Sequence, residues 1–119
     1  MNYIKATITL ILVSIFSFQS YSQKLGKDNS LEVITWNLEW FGNPDKGPKD
    51  EKKQMEVAYQ IIGELGKVDV IVFEEICDSK LFKRLADTTG YNYYLSPGAD
   101  NLQKIGMFYS KDLSVVGQP

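Results

Sequence analysis

One short run constrains the fold of this chain more than any other feature. Residues 68–73 read Val-Asp-Val-Ile-Val-Phe, and only Asp69 interrupts the apolar side chains. β-branched residues at its centre favour a strand, and a nearly continuous apolar run is typical of a strand covered on both faces. A second β-branched run predicts another strand over residues 31–36, which ends at Asn37.

The segment between these two strands predicts a helix over residues 50–65. Its apolar residues recur at spacings of three and four, which places them on one face of a helix: Met55, Ala58, Ile62 and Leu65. Asp50 suits the N-cap, and Gly66 suits the left-handed residue that closes a helix. Strand, helix and strand in this order are the layout of a βαβ unit, so the sequence predicts an α/β fold.

The rest of the chain continues the alternation. Glycines and prolines predict a loop over residues 41–49, and a second helix is predicted over residues 78–89. Further strands are predicted at the following positions: residues 91–95, 105–109 and a start at Val115–Val116. A strand as apolar as residues 68–73 needs a second covering layer that these elements do not supply. We therefore expect the chain to be part of a larger domain.

The first residues predict a targeting segment. Residues 6–18 carry no charge, follow one lysine and precede Ser20-Tyr21-Ser22, which is the layout of a secretory signal peptide over residues 1–22. A membrane anchor is the alternative, but the run is shorter than the roughly 20 residues that span a bilayer. The sequence thus predicts a secreted or periplasmic protein with no stable membrane anchor after cleavage. Residues 23–30 are predicted to be a flexible lead-in.

Composition excludes several classes of function. A formal charge of −2 and a pI near 5.1 exclude a basic protein that coats nucleic acid by charge alone. The sequence contains no histidine, which excludes imidazole catalysis and a histidine-containing zinc site within these residues. Cys77 is the single cysteine, so no disulfide framework is possible, and a lone thiol in an oxidising compartment is expected to be buried.

Polar residues stand at the ends of the first two predicted strands. Asn37 ends one strand, and Glu74 and Glu75 end the other. Ligands of α/β sheets bind where parallel strands end, so Asn37 and Glu75 are expected to converge. An amide oxygen and a carboxylate suit Mg²⁺, Mn²⁺ or Ca²⁺ and do not suit zinc. The same residues are also typical of a turn and of a solvated strand end, so spacing alone leaves both interpretations open.

Two further groups of residues have an ordinary structural interpretation. The aromatic residues near the first strand end are predicted to be core rather than a platform for a nucleobase: Trp36, Trp40 and Phe41. The cations of the second helix are predicted to lie on its solvated face rather than in a phosphate groove: Lys80, Lys83 and Arg84.

Two segments together resemble the start of the endonuclease/exonuclease/phosphatase superfamily, which has the deoxyribonuclease-I-like fold. They are Val-Ile-Thr-Trp-Asn-Leu-Glu-Trp-Phe-Gly at residues 33–42 and Val-Asp-Val-Ile-Val-Phe-Glu-Glu-Ile at residues 68–76. Residues 104–111 are similar to a later strand of that family. Residues 31–119 would then form the N-terminal part of a four-layer α/β/β/α sandwich.

The resemblance implies roles for individual residues. Asn37 matches the family's first-strand asparagine, which helps to order the metal and phosphate site and is counted as catalytic and metal-associated. Glu75 matches the metal-binding glutamate, and Glu74 replaces the more common glutamine.

The resemblance implies a secreted, metal-dependent phosphodiesterase. The leading interpretation is an endonuclease that acts on DNA or RNA. The implied cofactor is Mg²⁺, with Mn²⁺ or Ca²⁺ as alternatives. A phosphatase or sphingomyelinase-like enzyme, or a secreted binding domain without catalysis, are the alternatives. The family's catalytic histidines have no counterpart in this sequence. We therefore expect the chain to be inactive alone.

Overall fold

The structure is a computed structural model that describes residues 25–26 and 29–117. The predicted signal peptide, residues 1–22, and half of the predicted lead-in, residues 23–24 and 27–28, lie outside the described residues. None of the helices in the described part of the chain is long and apolar enough to cross a membrane.

The described residues form a small α/β domain with a mixed four-stranded sheet and two helices. The elements are, in chain order, β1 (Val33–Phe41), α1 (Glu51–Leu65), β2 (Val70–Ile76), α2 (Ser79–Thr89), β3 (Asn92–Leu95) and β4 (Lys104–Tyr109). The strand order is β1-β2-β4-β3. β1 and β2 are parallel, and β4 is antiparallel to both of its neighbours. The α/β class and the βαβ unit that the sequence predicts are therefore confirmed.

Both helices are capped at the N-terminus by an aspartate, which the sequence predicts for Asp50. The side chain of Asp50 accepts a hydrogen bond from the backbone nitrogen of Lys53, and that of Asp78 accepts one from Leu81. Each bond satisfies one of the backbone donors that a helix start leaves unpaired. Gly90 ends α2 in the left-handed conformation, with φ 79°, which a residue without a Cβ adopts at little cost.

The core lies between one face of the sheet and the two helices. Ala58 and Ile62 of α1 pack with α2 and the inward-facing strand residues. Phe73 is at its centre, with ring centroids 4.6 Å from Phe108 and 5.5 Å from Phe82. All three rings are fully buried, and each buried ring contributes roughly 1.5–3 kcal/mol of hydrophobic stabilisation.

The other face of the sheet is largely open within the described residues. Val33 of β1 is 53% exposed and Ile105 of β4 is 58% exposed, whereas Ile71 and Phe73 on the helix-covered face are fully buried. Val70 and Val72 point to the open side and are half-buried. The expectation that these elements leave β2 without a second complete layer therefore agrees with the structure.

Every strand differs from its predicted bounds by at least one residue, and β2 spans Val70–Ile76 rather than residues 68–73. β1 continues four residues beyond the predicted end at Asn37, because Phe41 pairs again with β2 after an irregular stretch. The predicted strand start at Val115–Val116 is wrong: the described residues 113–117 form no strand. Val116 is 96% exposed, and a β-branched pair forms a strand only when a neighbouring strand supplies hydrogen bonds.

Candidate functional site

The carboxyl ends of β1 and β2 are both irregular, and the two irregularities meet at Glu75. Between β2 and β4, Glu74 and Glu75 lie opposite the single residue Ile105. Between β1 and β2, the three residues after Asn37 lie opposite Glu75 alone. Extra residues of this kind form β-bulges, which turn a side chain away from its regular position and are common beside functional sites.

The backbone at this place adopts a conformation that most residues avoid. Glu39, Trp40 and Glu75 have φ values of 51°, 56° and 64°. A positive φ brings the Cβ of an L-residue too close to its own backbone, at a cost of roughly 1–2 kcal/mol per residue. Three such residues meet at one sheet edge, and residues of this type concentrate at functional sites.

Both carboxylate oxygens of Glu75 accept hydrogen bonds from β1. The side-chain nitrogen of Asn37 donates to one oxygen at 2.9 Å, and the backbone nitrogen of Trp40 donates to the other at 3.1 Å. The side-chain oxygen of Asn37 accepts in turn from the backbone nitrogen of Glu39 at 2.7 Å. The sequence prediction that Asn37 and Glu75 converge is therefore confirmed.

This geometry makes Asn37 the residue that orients Glu75. Its amide nitrogen faces the carboxylate, while its amide oxygen is bonded to the backbone of β1. Asn37 is exposed and Glu75 is half-buried, so the side of the carboxylate not bonded to β1 can reach a ligand. The predicted role of Asn37 as a metal ligand stays a prediction.

Glu75 is a fitting ligand for a hard divalent cation, although it does not form a complete binding shell. Within the described residues, no three acidic, cysteine or histidine side chains come together as a metal site. Mg²⁺ often binds one or two carboxylates and keeps several of its waters, so a single oriented carboxylate fits this ion. Each Glu75 oxygen keeps a lone pair beyond its hydrogen bond from β1.

A lysine contacts the side chain of Trp40, the residue whose backbone nitrogen bonds to Glu75. The Nζ of Lys46 lies 4.3 Å from the centre of the Trp40 ring, which is a cation–π contact. Lys46 is held there by a turn in which the side-chain oxygen of Asn43 accepts from the backbone nitrogens of Asp45 and Lys46, each at 2.9 Å. The loop thus holds one cation against the Trp40 ring.

An ion pair between buried Lys104 and exposed Asp100 fixes the loop between β3 and β4 against the residues that follow Glu75. The side chain of Lys104 is 2% exposed, and its Nζ donates to Asp100 at 2.6 Å and to the hydroxyl of Ser79 at 2.8 Å. Because Lys104 and Ser79 donate hydrogen bonds to Asp100, the pKa of its carboxyl falls to about 2. The backbone nitrogen of Asn101 also donates to the carbonyl of Cys77.

The remaining predicted residues behave as ordinary structural residues. Cys77 is fully buried, as expected, and burial raises the pKa of its thiol. Phe41 is 1% exposed and belongs to the core, as predicted, and half-buried Trp36 packs against that core. The core prediction is wrong for Trp40, which is half-buried and lies outside the core cluster. The cations of α2 lie on its exposed face, which confirms their interpretation: Lys80, Lys83 and Arg84.

Sequence reasoning missed three contributors to the site. The backbone nitrogen of Trp40 bonds to Glu75, whereas the sequence predicts a role only for the Trp40 side chain. The sequence predicts no role for Lys46 and no buried ion pair for Lys104, which it gives only as part of residues 104–111. The one signal for Lys46 was its position in a loop rich in glycine and proline next to Trp40. Nothing in the sequence marks Lys104 as buried, because a lysine is almost never buried unless it is paired.

No protein-family model, curated protein or solved structure matches this chain.

Proposed function

We propose that this chain is the metal-binding, N-terminal part of a secreted, metal-dependent phosphodiesterase that acts on DNA or RNA as an endonuclease. One observation carries the proposal. The Glu75 carboxylate is turned out of the sheet by a bulge and is held from two sides by Asn37 and by the backbone of Trp40.

This arrangement is difficult to explain as a device for stability. Asn37 and Glu39 are exposed, so their ordering gains little from burial. Hydrogen bonds between exposed groups replace bonds to water and contribute about 1 kcal/mol each. The positive φ values of Glu39, Trp40 and Glu75 cost a comparable amount. A carboxylate fixed in this way is therefore better explained by a ligand that needs it.

We propose that the chain forms the N-terminal part of a deoxyribonuclease-I-like α/β/β/α sandwich. The described residues supply one sheet with helices on one face only. The open face carries apolar side chains, among them Val33 and Ile105, each more than half exposed. A second sheet on that face would bury them, and sheets that pack face to face lie about 10 Å apart.

In the proposed reaction, Glu75 would hold a Mg²⁺ or Mn²⁺ ion, and Asn37 keeps the carboxylate in its orientation. When bound, such an ion would supply stabilisation of the negative charge that develops on phosphoryl oxygens. Lys46, which contacts the Trp40 ring, is proposed as a further positive charge for anionic phosphate oxygens. The chain has no histidine to activate water, so this part of the reaction falls to residues outside this sequence.

A non-catalytic secreted binding domain is the second candidate, and the absence of histidine is the observation that favours it. It would use the same carboxylate and cation to bind a phosphate ester without hydrolysing it. A phosphatase or sphingomyelinase-like enzyme is the third, because the same centre suits several phosphoesters.

The test is a calorimetric titration of the purified chain with Mn²⁺, in which two adjacent glutamates are compared. Glu75→Gln should abolish measurable binding, because it removes the one carboxylate that β1 orients. Glu74→Gln is the matched control, since Glu74 is exposed and makes no side-chain hydrogen bond or ion pair in the described part of the chain. Equal losses in both variants, with unchanged folding by circular dichroism, would refute the assignment of Glu75.

A further inference from the structure

Asn43 is a buried polar residue in the loop between β1 and α1. It is 6% exposed, and its side-chain oxygen accepts hydrogen bonds from the backbone nitrogens of Asp45 and Lys46, each at 2.9 Å. The backbone nitrogen of Asn43 donates to the carbonyl of Trp40, also at 2.9 Å. Burying an amide costs free energy unless it is hydrogen-bonded, so these bonds fix Asn43 and the loop around it in one conformation.

This loop, residues 43–47, is called the clamp loop below because it packs directly on the two adjacent β1 residues with positive φ. A Cβ added at Gly47 would lie 2.6 Å from the carbonyl oxygen of Glu39 and 2.8 Å from the Cβ of Trp40. Gly47 itself has a φ of 70°, which glycine adopts at little cost. The Nζ of Lys46 lies 4.3 Å from the centre of the Trp40 ring. The clamp loop therefore contacts the carbonyl, the Cβ and the ring of Trp40.

The turn that joins Trp40 to Asn43 is also held by the residues that follow β2. The carbonyl of Phe41 accepts hydrogen bonds from the backbone nitrogens of Cys77 at 2.9 Å and Asp78 at 3.2 Å. A Cβ added at Gly42 would lie 2.4 Å from the Cβ of Asp78, so the turn lies in close contact with the start of α2. The end of β1 is thus fixed by the clamp loop on one side and by the end of β2 on the other.

The conformation that these contacts support is the one in which Trp40 binds Glu75. Positive φ is unfavourable for residues with a Cβ, so Glu39 and Trp40 keep it only where their surroundings hold them. In this conformation the backbone nitrogen of Trp40 donates to the Glu75 carboxylate at 3.1 Å. Relaxation of the two residues would withdraw this donor and leave the side chain of Asn37 to hold the carboxylate. The clamp loop therefore acts on Glu75 through Trp40.

We propose that Asn43 is a positioning residue for the metal site at Glu75, an inference that rests on the proposed function. Asn43 itself touches neither the ion nor the substrate. It keeps the clamp loop on Glu39 and Trp40, and so keeps the backbone nitrogen of Trp40 on the carboxylate. The carboxylate is then oriented before an ion arrives, which reduces the entropy that binding costs.

The test measures two quantities in the purified chain: hydrogen exchange of the Trp40 amide by NMR in the presence of a metal chelator, and Mn²⁺ affinity by calorimetry. In Asn43→Ala the Trp40 amide should exchange about tenfold faster, because its hydrogen bond to Glu75 opens more often. Mn²⁺ affinity should fall about tenfold, the lower end of what residues that orient a metal ligand contribute. Asn43→Ser keeps a weaker acceptor for the same turn, so both quantities should lie between those of Asn43→Ala and the unchanged chain.

The matched control is Ser110→Ala, which also removes a buried polar side chain from a turn. Ser110 is 8% exposed, and its hydroxyl accepts a hydrogen bond from the backbone nitrogen of Asp112 at 3.3 Å. Its backbone nitrogen bonds to the carbonyl of Asp69, at the opposite end of β2 from Glu75. Neither quantity should change in this variant. Equal effects of Ser110→Ala and Asn43→Ala would overturn the proposal, because a general loss of stability would then explain both.

Gly47→Ala tests the contact of the clamp loop with β1 while Asn43 stays in place, and it decides the question if Asn43→Ala fails to fold. Its added Cβ overlaps the carbonyl of Glu39, so exchange of the Trp40 amide should again be faster and Mn²⁺ binding weaker. Faster exchange in the variants of a chain that binds no Mn²⁺ would support the link from Asn43 to Trp40 and refute only the proposed metal site. Unchanged exchange with intact Mn²⁺ binding would refute only the role of Asn43.

Discussion

The side-chain nitrogen of Asn37 donates a hydrogen bond to Glu75 at 2.9 Å, across two parallel strands and 38 positions of sequence. The bond spans the two strand ends at which the backbone leaves regular sheet geometry. It fixes a half-buried carboxylate at the carboxyl ends of β1 and β2. The position of this carboxylate thus depends on a residue that need not touch any ligand.

Replacing Asn37 should therefore weaken metal binding at Glu75. In Asn37→Ala the carboxylate keeps its bond from Trp40 but loses the donor that fixes its orientation. Residues that orient a metal ligand typically contribute 10- to 100-fold to affinity, so Mn²⁺ affinity measured by calorimetry should fall at least about tenfold. Thr35→Ala, an exposed change two residues earlier on β1, is the control and should have no effect. An equally small effect of both changes would contradict the orienting role.

The sequence predicts the position of this site through the pairing of the first two strands. Residues 31–36 and 68–73 are β-branched and apolar, and a helix with one apolar face separates them, so parallel pairing could be predicted. The carboxyl ends of paired parallel strands lie at one edge. The contact of Asn37 with Glu75 is therefore predictable from local patterns alone.

The bulges could not be predicted, because no residue type signals them. Glu39, Trp40 and Glu75 adopt positive φ without the glycine or asparagine that usually marks such a conformation. The backbone donor of Trp40 depends on this bend, so it was missed as well. Lys104 was missed for another reason: its burial depends on Asp100, which the long-range pairing of β2 and β4 places against α2.

Two glycines should respond to alanine with opposite signs. A Cβ at Gly106 of β4 would overlap the ring of Phe82, which is fully buried and cannot move away. Overpacking of this kind costs about 1–3 kcal/mol of the free energy of unfolding. A Cβ at Gly63 of α1 meets no atom, and alanine favours a helix over glycine by about 1 kcal/mol.

Urea unfolding followed by circular dichroism measures both changes. We expect Gly106→Ala to lower the free energy of unfolding and Gly63→Ala to raise it. If Gly106→Ala left the free energy of unfolding unchanged, the inference that Phe82 packs closely on β4 would be wrong. A loss of stability in Gly63→Ala would instead mean that this side of α1 is covered.

The purified chain should hydrolyse no phosphodiester, even with ample Mn²⁺. Hydrolysis needs a positioned base for water in addition to charge stabilisation, and the sequence holds no histidine. Asp78 is an unsuitable substitute because its carboxylate accepts the backbone hydrogen bond of Leu81 at 2.8 Å. Plasmid DNA, RNA and a chromogenic phosphodiester are the substrates to assay. Cleavage that disappears in Glu75→Gln would show that a base is present among these residues.

The ion pair of Asp100 with Lys104 should make stability depend on pH at the acid end. Hydrogen bonds from Lys104 and Ser79 hold the pKa of Asp100 at about 2, below its usual value of 3.8. A lowered pKa means that the folded state favours the charged form. The contribution of charged Asp100 to folding stability is therefore complete above the usual pKa and is lost as the pH falls through about 2. Because Asp100 is 52% exposed, solvent screens part of the interaction, and we expect a modest total effect.

Asp100→Asn reproduces the uncharged state at every pH, which makes the dependence measurable. At neutral pH the variant should unfold at lower urea concentration than the unchanged chain, because it leaves the buried ammonium of Lys104 without its counter-charge. As the pH falls from about 5 towards 2, the difference between the two proteins should shrink, since protonation of Asp100 then removes the same charge. Asp87→Asn is the control: its partner Lys83 is well exposed, so a much smaller change is expected. A difference between Asp100→Asn and the unchanged chain that stays constant down to the lowest pH would show that the Asp100 side chain acts through its shape and hydrogen bonds and not through its charge.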